Sequence, residues 1–131
     1  MLRVLFVCLG NSCRSQMAEG FARVYGEGVW EVESAGLTPA IGIAPPTREV
    51  MQEKQIDLEE QFPKPLNWVT LDPIDLVINL SGHPLPDLGG APVREWVVDD
   101  PIGCSLKVYR RVRDQIEALV SALIEEARSR T

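Results

Sequence analysis

Short apolar runs alternate along the chain with longer segments of helical spacing, which predicts alternating strands and helices. Residues 2–7 are apolar except for Arg3, as is typical of a strand buried on both faces. From Ser105 onward apolar residues recur every three or four positions, which predicts a long amphipathic helix. The same reasoning predicts strands at 29–33, 75–80 and 95–98, helices at 15–26 and 48–55, and one short helix at 66–71.

This order of elements predicts a three-layer α/β sandwich with a four-stranded parallel sheet. The length of 131 residues fits one domain spanning residues 1–131. Segments 36–46 and 81–92 are rich in Gly and Pro and are predicted to be loops. Parallel sheets bind ligands beyond the carboxyl ends of their strands, so residues that follow strands are the candidates for a site.

Cys8, Ser34, Ser81 and the pair Asp99-Asp100 all follow predicted strands. Residues 8–15 read Cys-Leu-Gly-Asn-Ser-Cys-Arg-Ser and join the first strand to the first helix. Such a loop turns backbone N–H groups inward, and the helix N-terminus adds the positive end of its dipole. The sequence therefore predicts a cup for a tetrahedral oxyanion. Its predicted lining is Leu9, Gly10, Asn11, Ser12, Cys13 and Arg14.

Arg14 and Cys8 give this cup its chemistry. The guanidinium of Arg14 is a planar fork of donors that matches two oxygens of phosphate or arsenate. The same positive field favours the thiolate form of Cys8, which makes Cys8 a candidate nucleophile at the base of the cup. The loop lacks the Gly-x-x-x-x-Gly-Lys pattern of nucleotide-binding loops, so a nucleotide site is not expected here.

Residues 7–20 resemble the signature of the low-molecular-weight protein tyrosine phosphatase superfamily. The portion Asn-Ser-Cys-Arg-Ser-Gln-Met-Ala-Glu-Gly, residues 11–20, is most similar to its arsenate reductase branch. The resemblance extends through Ser34-Ala35-Gly36, Asp99-Asp100-Pro101 and residues 110–116. It implies four catalytic roles: Cys8 as nucleophile, Arg14 as oxyanion ligand, Ser15 as the residue that steadies the thiolate, and Asp100 as general acid.

Two Asp-Pro dipeptides are candidates for the acid that protonates the leaving oxygen. Asp72-Pro73 precedes the third strand, at the wrong edge of the sheet, and is interpreted as a turn. Asp100-Pro101 follows the fourth strand, at the edge where Cys8 lies. We therefore favour Asp100 as the acid, with the adjacent Asp99 as the alternative.

Cys13, Cys104 and His83 are additional reactive side chains whose roles the sequence leaves open. Cys13 either forms a reversible disulfide with Cys8 or packs inside the loop. Cys104 is either a second redox thiol at the mouth of the site or a residue at the start of the last helix. His83 is interpreted as a solvated loop residue. No Cys-x-x-Cys pair predicts a metal site, and no tightly bound cofactor is expected.

Thioredoxin-coupled arsenate reductases of the resembled family use two further cysteines after the third strand. Residues 79–86 contain none, so the resemblance implies an external thiol or a redoxin, glutaredoxin-like or thioredoxin-like, as reductant. The phosphatase branch has aromatic side chains that stack on a tyrosine ring. Here Ile102 follows Pro101, and residues 37–46 contain no aromatic.

Charge and composition exclude several partners. The net charge is −6 and the pI about 4.8, so no basic surface is expected for nucleic acid. No apolar run reaches the roughly 18 residues of a membrane span, and the N-terminal run is unlike a signal peptide. Three cysteines suit a reducing compartment, so a cytoplasmic protein is expected.

These observations favour an arsenate reductase that binds arsenate or a related oxyanion. The alternative is a phosphatase that hydrolyses phosphotyrosine or another phosphoester through a cysteinyl-phosphate. A non-catalytic anion-binding module is the third hypothesis, and the joint presence of Cys8, Arg14, Ser15 and Asp100 disfavours it.

Overall fold

A four-stranded parallel sheet organises the computed structural model, which describes residues 1–129. The elements are β1 (Leu2–Cys8), α1 (Arg14–Tyr25), β2 (Trp30–Gly36), α2 (Pro45–Gln52), a 3₁₀-helix (Leu66–Trp68), β3 (Leu76–Asn79), β4 (Val93–Glu95) and α3 (Leu106–Ser129). Within this range the strand order is β2-β1-β3-β4, and every pairing is parallel. The predicted α/β fold with a four-stranded parallel sheet is therefore confirmed.

The central strand β1 separates two apolar cores because its side chains alternate between the faces of the sheet. Val4 and Phe6 lie in the larger core, together with buried residues from all three α-helices. Leu5 and Val7 lie in the smaller core on the opposite face. Loop residues and the 3₁₀-helix cover that second face, so the third layer of the sandwich contains no α-helix within residues 1–129.

The long helix α3 has the amphipathic pattern that the sequence predicts. Its apolar face is buried at Val112, Ile116 and Val120, and the helix packs against α1 and α2. Arg113 is also buried and donates a hydrogen bond of 2.9 Å to the carbonyl oxygen of Val50 at the end of α2. Across residues 1–129 the helices fall short of the length and apolar content that crossing a bilayer requires.

Several element boundaries differ from the prediction: the strand predicted at 29–33 is Trp30–Gly36, and the short helix predicted at 66–71 ends at Trp68. Two further differences have a clear physical reason. The helix predicted at 48–55 begins at Pro45, because proline is well suited to the first helical turn, where an N–H is not needed. The strand predicted at 95–98 is instead Val93–Glu95, which pairs with β3 through Val77 and Val93. The apolar residues that suggested the later strand are explained by core packing, since the Trp96 ring lies 6.0 Å from that of Phe6.

Candidate active site

The loop between β1 and α1 is held with its carbonyl groups turned outward. Four of these carbonyls accept backbone hydrogen bonds from the segment after β2: Leu37 to Cys8 (3.1 Å), Thr38 to Leu9 (2.8 Å), Ala40 to Gly10 (2.9 Å) and Ala44 to Ser12 (3.0 Å). The carbonyl of Asn11 accepts a hydrogen bond of 2.9 Å from the Gln16 side chain. Every carbonyl from residue 8 to residue 12 therefore has a donor.

The outward carbonyls leave the N–H groups of the loop facing its centre, because the two groups of a peptide unit point in opposite directions. In the part of the chain that the structure describes, the backbone N–H groups of residues 9–13 donate to no protein acceptor. Helix α1 begins at Arg14, so its free N–H groups face the same space. This arrangement is a cup of unpaired donors that suits a tetrahedral anion.

Cys8 lies at the base of this cup and is 3% exposed. Its Sγ is 2.8 Å from the hydroxyl oxygen of Ser15. The side-chain amide of Asn11 donates to that same oxygen at 2.7 Å, which leaves the Ser15 hydroxyl hydrogen to point towards sulfur. Ser15 is thus placed to donate to a Cys8 thiolate, and such a donor stabilises the charged form.

Asn11 has a larger role than the sequence indicated, because its side chain links Ser15, Ser34 and the Lys64 backbone around the cup. It is fully buried and has a positive φ of 49°, a conformation that Asn tolerates better than most residues. Its amide also donates to the Ser34 hydroxyl at 3.0 Å, and its side-chain oxygen accepts the Lys64 N–H at 3.0 Å. The close approach requires Gly36, where a Cβ would lie 2.9 Å from the Cβ of Asn11.

The polar chain continues from Ser34 to Glu19, a buried carboxylate that sequence reasoning did not identify. The Ser34 hydroxyl donates to Glu19 at 2.5 Å, and Glu19 is also paired with Arg23 one helical turn later. In the sequence, Glu19 belongs to the segment 11–20 that resembles the family signature, but nothing there marks it as part of the site. These contacts place Cys8 at one end of a hydrogen-bonded chain through Ser15, Asn11, Ser34 and Glu19.

The guanidinium of Arg14 is hydrogen-bonded through Nη1, while its Nε and Nη2 remain available. Its Nη1 donates to the carbonyl oxygens of Leu80 at 2.7 Å and Val98 at 3.2 Å. The side chain is buried, and within residues 1–129 its Nε and Nη2 make no hydrogen bond. Because Nε and Nη2 form one edge of the guanidinium, two parallel donors remain for an oxyanion.

The structure distinguishes the two neighbouring aspartates. An Asp100 carboxylate oxygen lies 3.6 Å from Nη2 of Arg14, and its side chain is 46% exposed. Asp100 also accepts the N–H of Ile102 at 3.1 Å. Asp99 is 83% exposed and faces Arg111 at 3.7 Å instead. Asp100 therefore lies at the cup, as a general acid must, and Asp99 does not.

A cavity of about 340 Å³ opens above the cup. It is lined by Cys8, Leu9, Gly10, Ser12, Cys13, Arg14, Thr38, Asp100 and Ile102. Its apolar lining comes from aliphatic side chains such as Leu9 and Ile102, and among residues 1–129 no aromatic side chain lines it. A phosphotyrosine ring would therefore find no stacking partner among these residues.

The other sequence candidates lie outside this cavity lining. Cys104 is exposed, in a turn where its N–H donates to the Pro101 carbonyl at 2.8 Å. His83 is exposed, while Ser81 shapes the end of β3 by donating to the Asn79 side chain at 2.6 Å. Within the described residues, no group of three His, Cys, Asp or Glu side chains is arranged to hold a metal ion.

Cys13 lines the cavity but differs from Cys8 in its surroundings. It is 3% exposed, and burial raises the pKa of its thiol to about 12, although a hydrogen bond with Thr47 opposes this shift. The thiol therefore stays protonated at neutral pH, and a protonated thiol is a poor nucleophile. This environment supports a packing role for Cys13 and disfavours rapid exchange with Cys8.

We expect alkylation to separate these two thiols. Iodoacetamide at neutral pH should modify Cys8 first and Cys13 only slowly, with the Cys13 rate rising as the pH approaches about 12. Mass spectrometry of peptides from the folded protein measures both rates, and the unfolded chain is the control in which the thiols should react alike. Equal reactivity of Cys8 and Cys13 in the folded protein at pH 7 would contradict this prediction.

Comparison with known proteins agrees with this geometry. The family model for low molecular weight phosphotyrosine protein phosphatase matches residues 3–88. A protein of Synechocystis sp. named glutaredoxin arsenate reductase is 41% identical over 128 residues, covering 95% of this chain and 97% of that protein. Arsenate reductase 1 of Bacillus cereus is 38% identical over 126 residues, covering 93% of each chain.

Solved structures show the same similarity. An arsenate reductase in its phosphate-binding state superposes with a TM-score of 0.89 at 40% identity, covering 97% of this chain and 99% of that one. An arginine phosphatase from Geobacillus stearothermophilus superposes with a TM-score of 0.86 at 28% identity, covering 99% and 95%. The fold is thus common to reductases and phosphatases.

Proposed function

This chain belongs to the low molecular weight phosphotyrosine protein phosphatase family of enzymes, and we propose that it is an arsenate reductase. The observation that carries the proposal is the cup itself, in which a buried Cys8 faces unpaired N–H donors and the open edge of Arg14. Relatives named arsenate reductase cover nearly the whole chain, which supports arsenate as the oxyanion.

In the first step, the Cys8 thiolate attacks arsenic in a bound arsenate. A sulfur–arsenic bond forms and one arsenic–oxygen bond breaks. The leaving oxygen takes a proton from Asp100 and departs as water or hydroxide. Arg14 and the loop N–H groups bind the remaining oxygens, where negative charge is concentrated.

In the second step, an external thiol attacks the Cys8 sulfur and displaces arsenic. The electron pair of the sulfur–arsenic bond stays on arsenic, so As(V) becomes As(III) and leaves as arsenite. Cys8 is then in a mixed disulfide with the external thiol. A second thiol reduces that disulfide, so two external thiols are oxidised for each arsenate.

The external reductant is the part of the cycle that this chain does not supply. The segment after β3 carries Ser81, Gly82 and His83 where thiols would be needed, and Cys13 is buried as a protonated thiol. A small thiol with a glutaredoxin-like partner fits these features, and the name of the Synechocystis relative supports it. All three cysteines are free, which suits a reducing compartment such as the cytoplasm.

We expect arsenate reduction to survive Cys104→Ser. Cys104 is exposed but lies outside the cavity lining, so its loss should change turnover less than about twofold when a small thiol and a glutaredoxin are supplied. Steady-state arsenite release measures this, with Cys8→Ser as the inactive control. Efficient turnover with thioredoxin alone, lost in Cys104→Ser, would make Cys104 the resolving thiol and overturn the proposal of an external thiol.

The second candidate is a phosphatase, favoured by the family model and by the structural similarity to an arginine phosphatase. The two activities share the first step and differ in what attacks the adduct, an external thiol or water. Parallel assays of arsenate with thiols and of an aryl phosphate decide between them. If the protein hydrolyses the phosphate ester but does not reduce arsenate with any thiol tested, the phosphatase becomes the proposed function.

A further inference from the structure

A groove of about 570 Å³ runs along the outer side of β2, away from the cup. It is lined by Glu19, Arg23, Glu27, Gly28, Trp30, Glu31, Val32, Glu33, Glu60, Gln61, Phe62, Lys64, Trp68, Thr70 and Leu71. We call it the β2 groove. Its walls come from the end of α1 on one side and from residues 60–71 on the other.

The floor of the β2 groove is an open strand edge. Successive side chains of a strand point to opposite faces, so the consecutive residues 30–33 can all line one groove only along their edge. Strand β2 is at the border of the sheet, and in the described chain its outer side pairs only at Gly36, through an isolated bridge to Pro65. Backbone groups of a strand alternate between its two edges, and Gly36 donates outward to the Lys64 carbonyl, so Trp30 and Val32 present their backbone groups to an added strand.

The charges of the groove are predominantly negative. Five glutamates line it against two cations, Arg23 and Lys64. Arg23 is already paired with Glu19, and Lys64 lies 3.6 Å from Glu33. Arg3, which does not line the groove, lies 3.5 Å from Glu31. Glu27 and Glu60 have no ion-pair partner among residues 1–129. The groove therefore keeps an excess of carboxylates beside its open edge.

Two aromatic side chains in the wall are exposed although they are large and apolar. Trp68 is 60% exposed and Phe62 is 52% exposed. The Lys64 ammonium lies 5.1 Å from the centre of the Phe62 ring, which shows that this wall already accommodates a cation against an aromatic face. Exposed aromatics beside carboxylates suit the long side chains of Lys or Arg, whose stems are apolar and whose ends are charged.

We propose that the β2 groove binds an extended segment of a partner protein that carries Lys or Arg at alternate positions and adds to β2 as a fifth strand. Backbone hydrogen bonds to Trp30 and Val32 would supply affinity, and the carboxylates and Trp68 would select the basic side chains. A second copy of this chain fits less well, since its own groove glutamates would be brought against those of the first copy.

The test uses the full protein and a short acetylated peptide of alternating lysine and valine. NMR titration should shift the amide signals of residues 28–33 and the indole signal of Trp68, and leave those of the cup unchanged. A peptide with the same sequence but N-methylated valines keeps the charge and loses donors along one edge. It should bind about tenfold more weakly or worse.

Glu60→Lys and Glu59→Lys form the matched pair of variants. They are sequence neighbours with the same charge change, but only Glu60 lines the groove. Glu60→Lys should weaken peptide binding about tenfold, and Glu59→Lys should weaken it much less. The proposal would be overturned if both variants lost the same amount of peptide affinity, or if the N-methylated peptide bound as tightly as the unmodified one. It would also be overturned by NMR shifts outside the groove or by a protein that dimerises through β2.

Discussion

Replacing Arg14 with lysine is expected to reduce turnover by about 10²–10³-fold, the range seen when one anion-stabilising donor is removed. Lysine keeps the positive charge but has no planar edge like the one formed by Nε and Nη2. Its single ammonium would also have to replace three nitrogens: Nη1, which donates to Leu80 and Val98, and Nε and Nη2, which face the oxyanion. The measurement is kcat and KM for arsenate reduction and for aryl phosphate hydrolysis.

Arg111→Lys is the matched control for this substitution. Arg111 is exposed and contacts Asp99 rather than the cup, so turnover should stay at the level of the unmodified protein. Circular dichroism and thermal unfolding separate a catalytic loss from a folding defect. Near-normal turnover in a folded Arg14→Lys protein would show that charge alone suffices and that the open guanidinium edge has no special role.

The fold was predictable from local patterns because each strand and helix carries its own periodicity. The apolar residues of β1 and the long repeat of α3 fix the two elements around which the sheet and the helices pack. The boundaries of β4 were not predictable in this way. Trp96 and Val98 follow the residues of β4 that pair with β3, and they pack in the core. Apolar periodicity cannot distinguish a residue buried within a strand from a residue buried after the strand has ended.

The positions of Cys8, Arg14 and Asp100 around one cavity were also predictable, since these residues follow strands or begin a helix at one edge of the sheet. Their supporting contacts were not. Lys64 meets Asn11 from 53 residues away, and Leu80 and Val98 meet Arg14 from 66 and 84 residues away. Such contacts depend on how distant loops close over the sheet, and no local residue pattern encodes them.

The contacts around Cys8 support the proposal that it acts as a nucleophile without a histidine base. Ser15 is oriented by Asn11, and Asn11 is held by Ser34 and the Lys64 backbone. Ser15 is the group that can donate to the Cys8 sulfur. Asn11, Ser34 and the Lys64 backbone keep Ser15 in position. A thiolate in this setting is stabilised by fixed dipoles, which need no proton transfer at the moment of attack.

Asp100→Asn is expected to slow the first step by about 10²–10⁴-fold on substrates with poor leaving groups, the usual range for general acid catalysis. Asparagine keeps the size of the side chain and can still contact Ile102 and Arg14, but it cannot release a proton to the leaving oxygen. Rapid-quench measurement of adduct formation isolates this step. An activated aryl phosphate should be slowed much less than an alkyl phosphate, because its leaving group departs without protonation.

Asp99→Asn is the control that makes this prediction specific to one carboxylate. The two residues are adjacent and carry the same charge, so both substitutions change the net charge of the protein equally. Asp99 points to Arg111 at the surface, whereas Asp100 lines the cavity above Cys8. Asp99→Asn should therefore retain normal rates on both leaving groups. If Asp99→Asn shows the dependence on leaving group and Asp100→Asn does not, the acid is Asp99, and the 3.6 Å contact between Asp100 and Arg14 serves only to position the arginine.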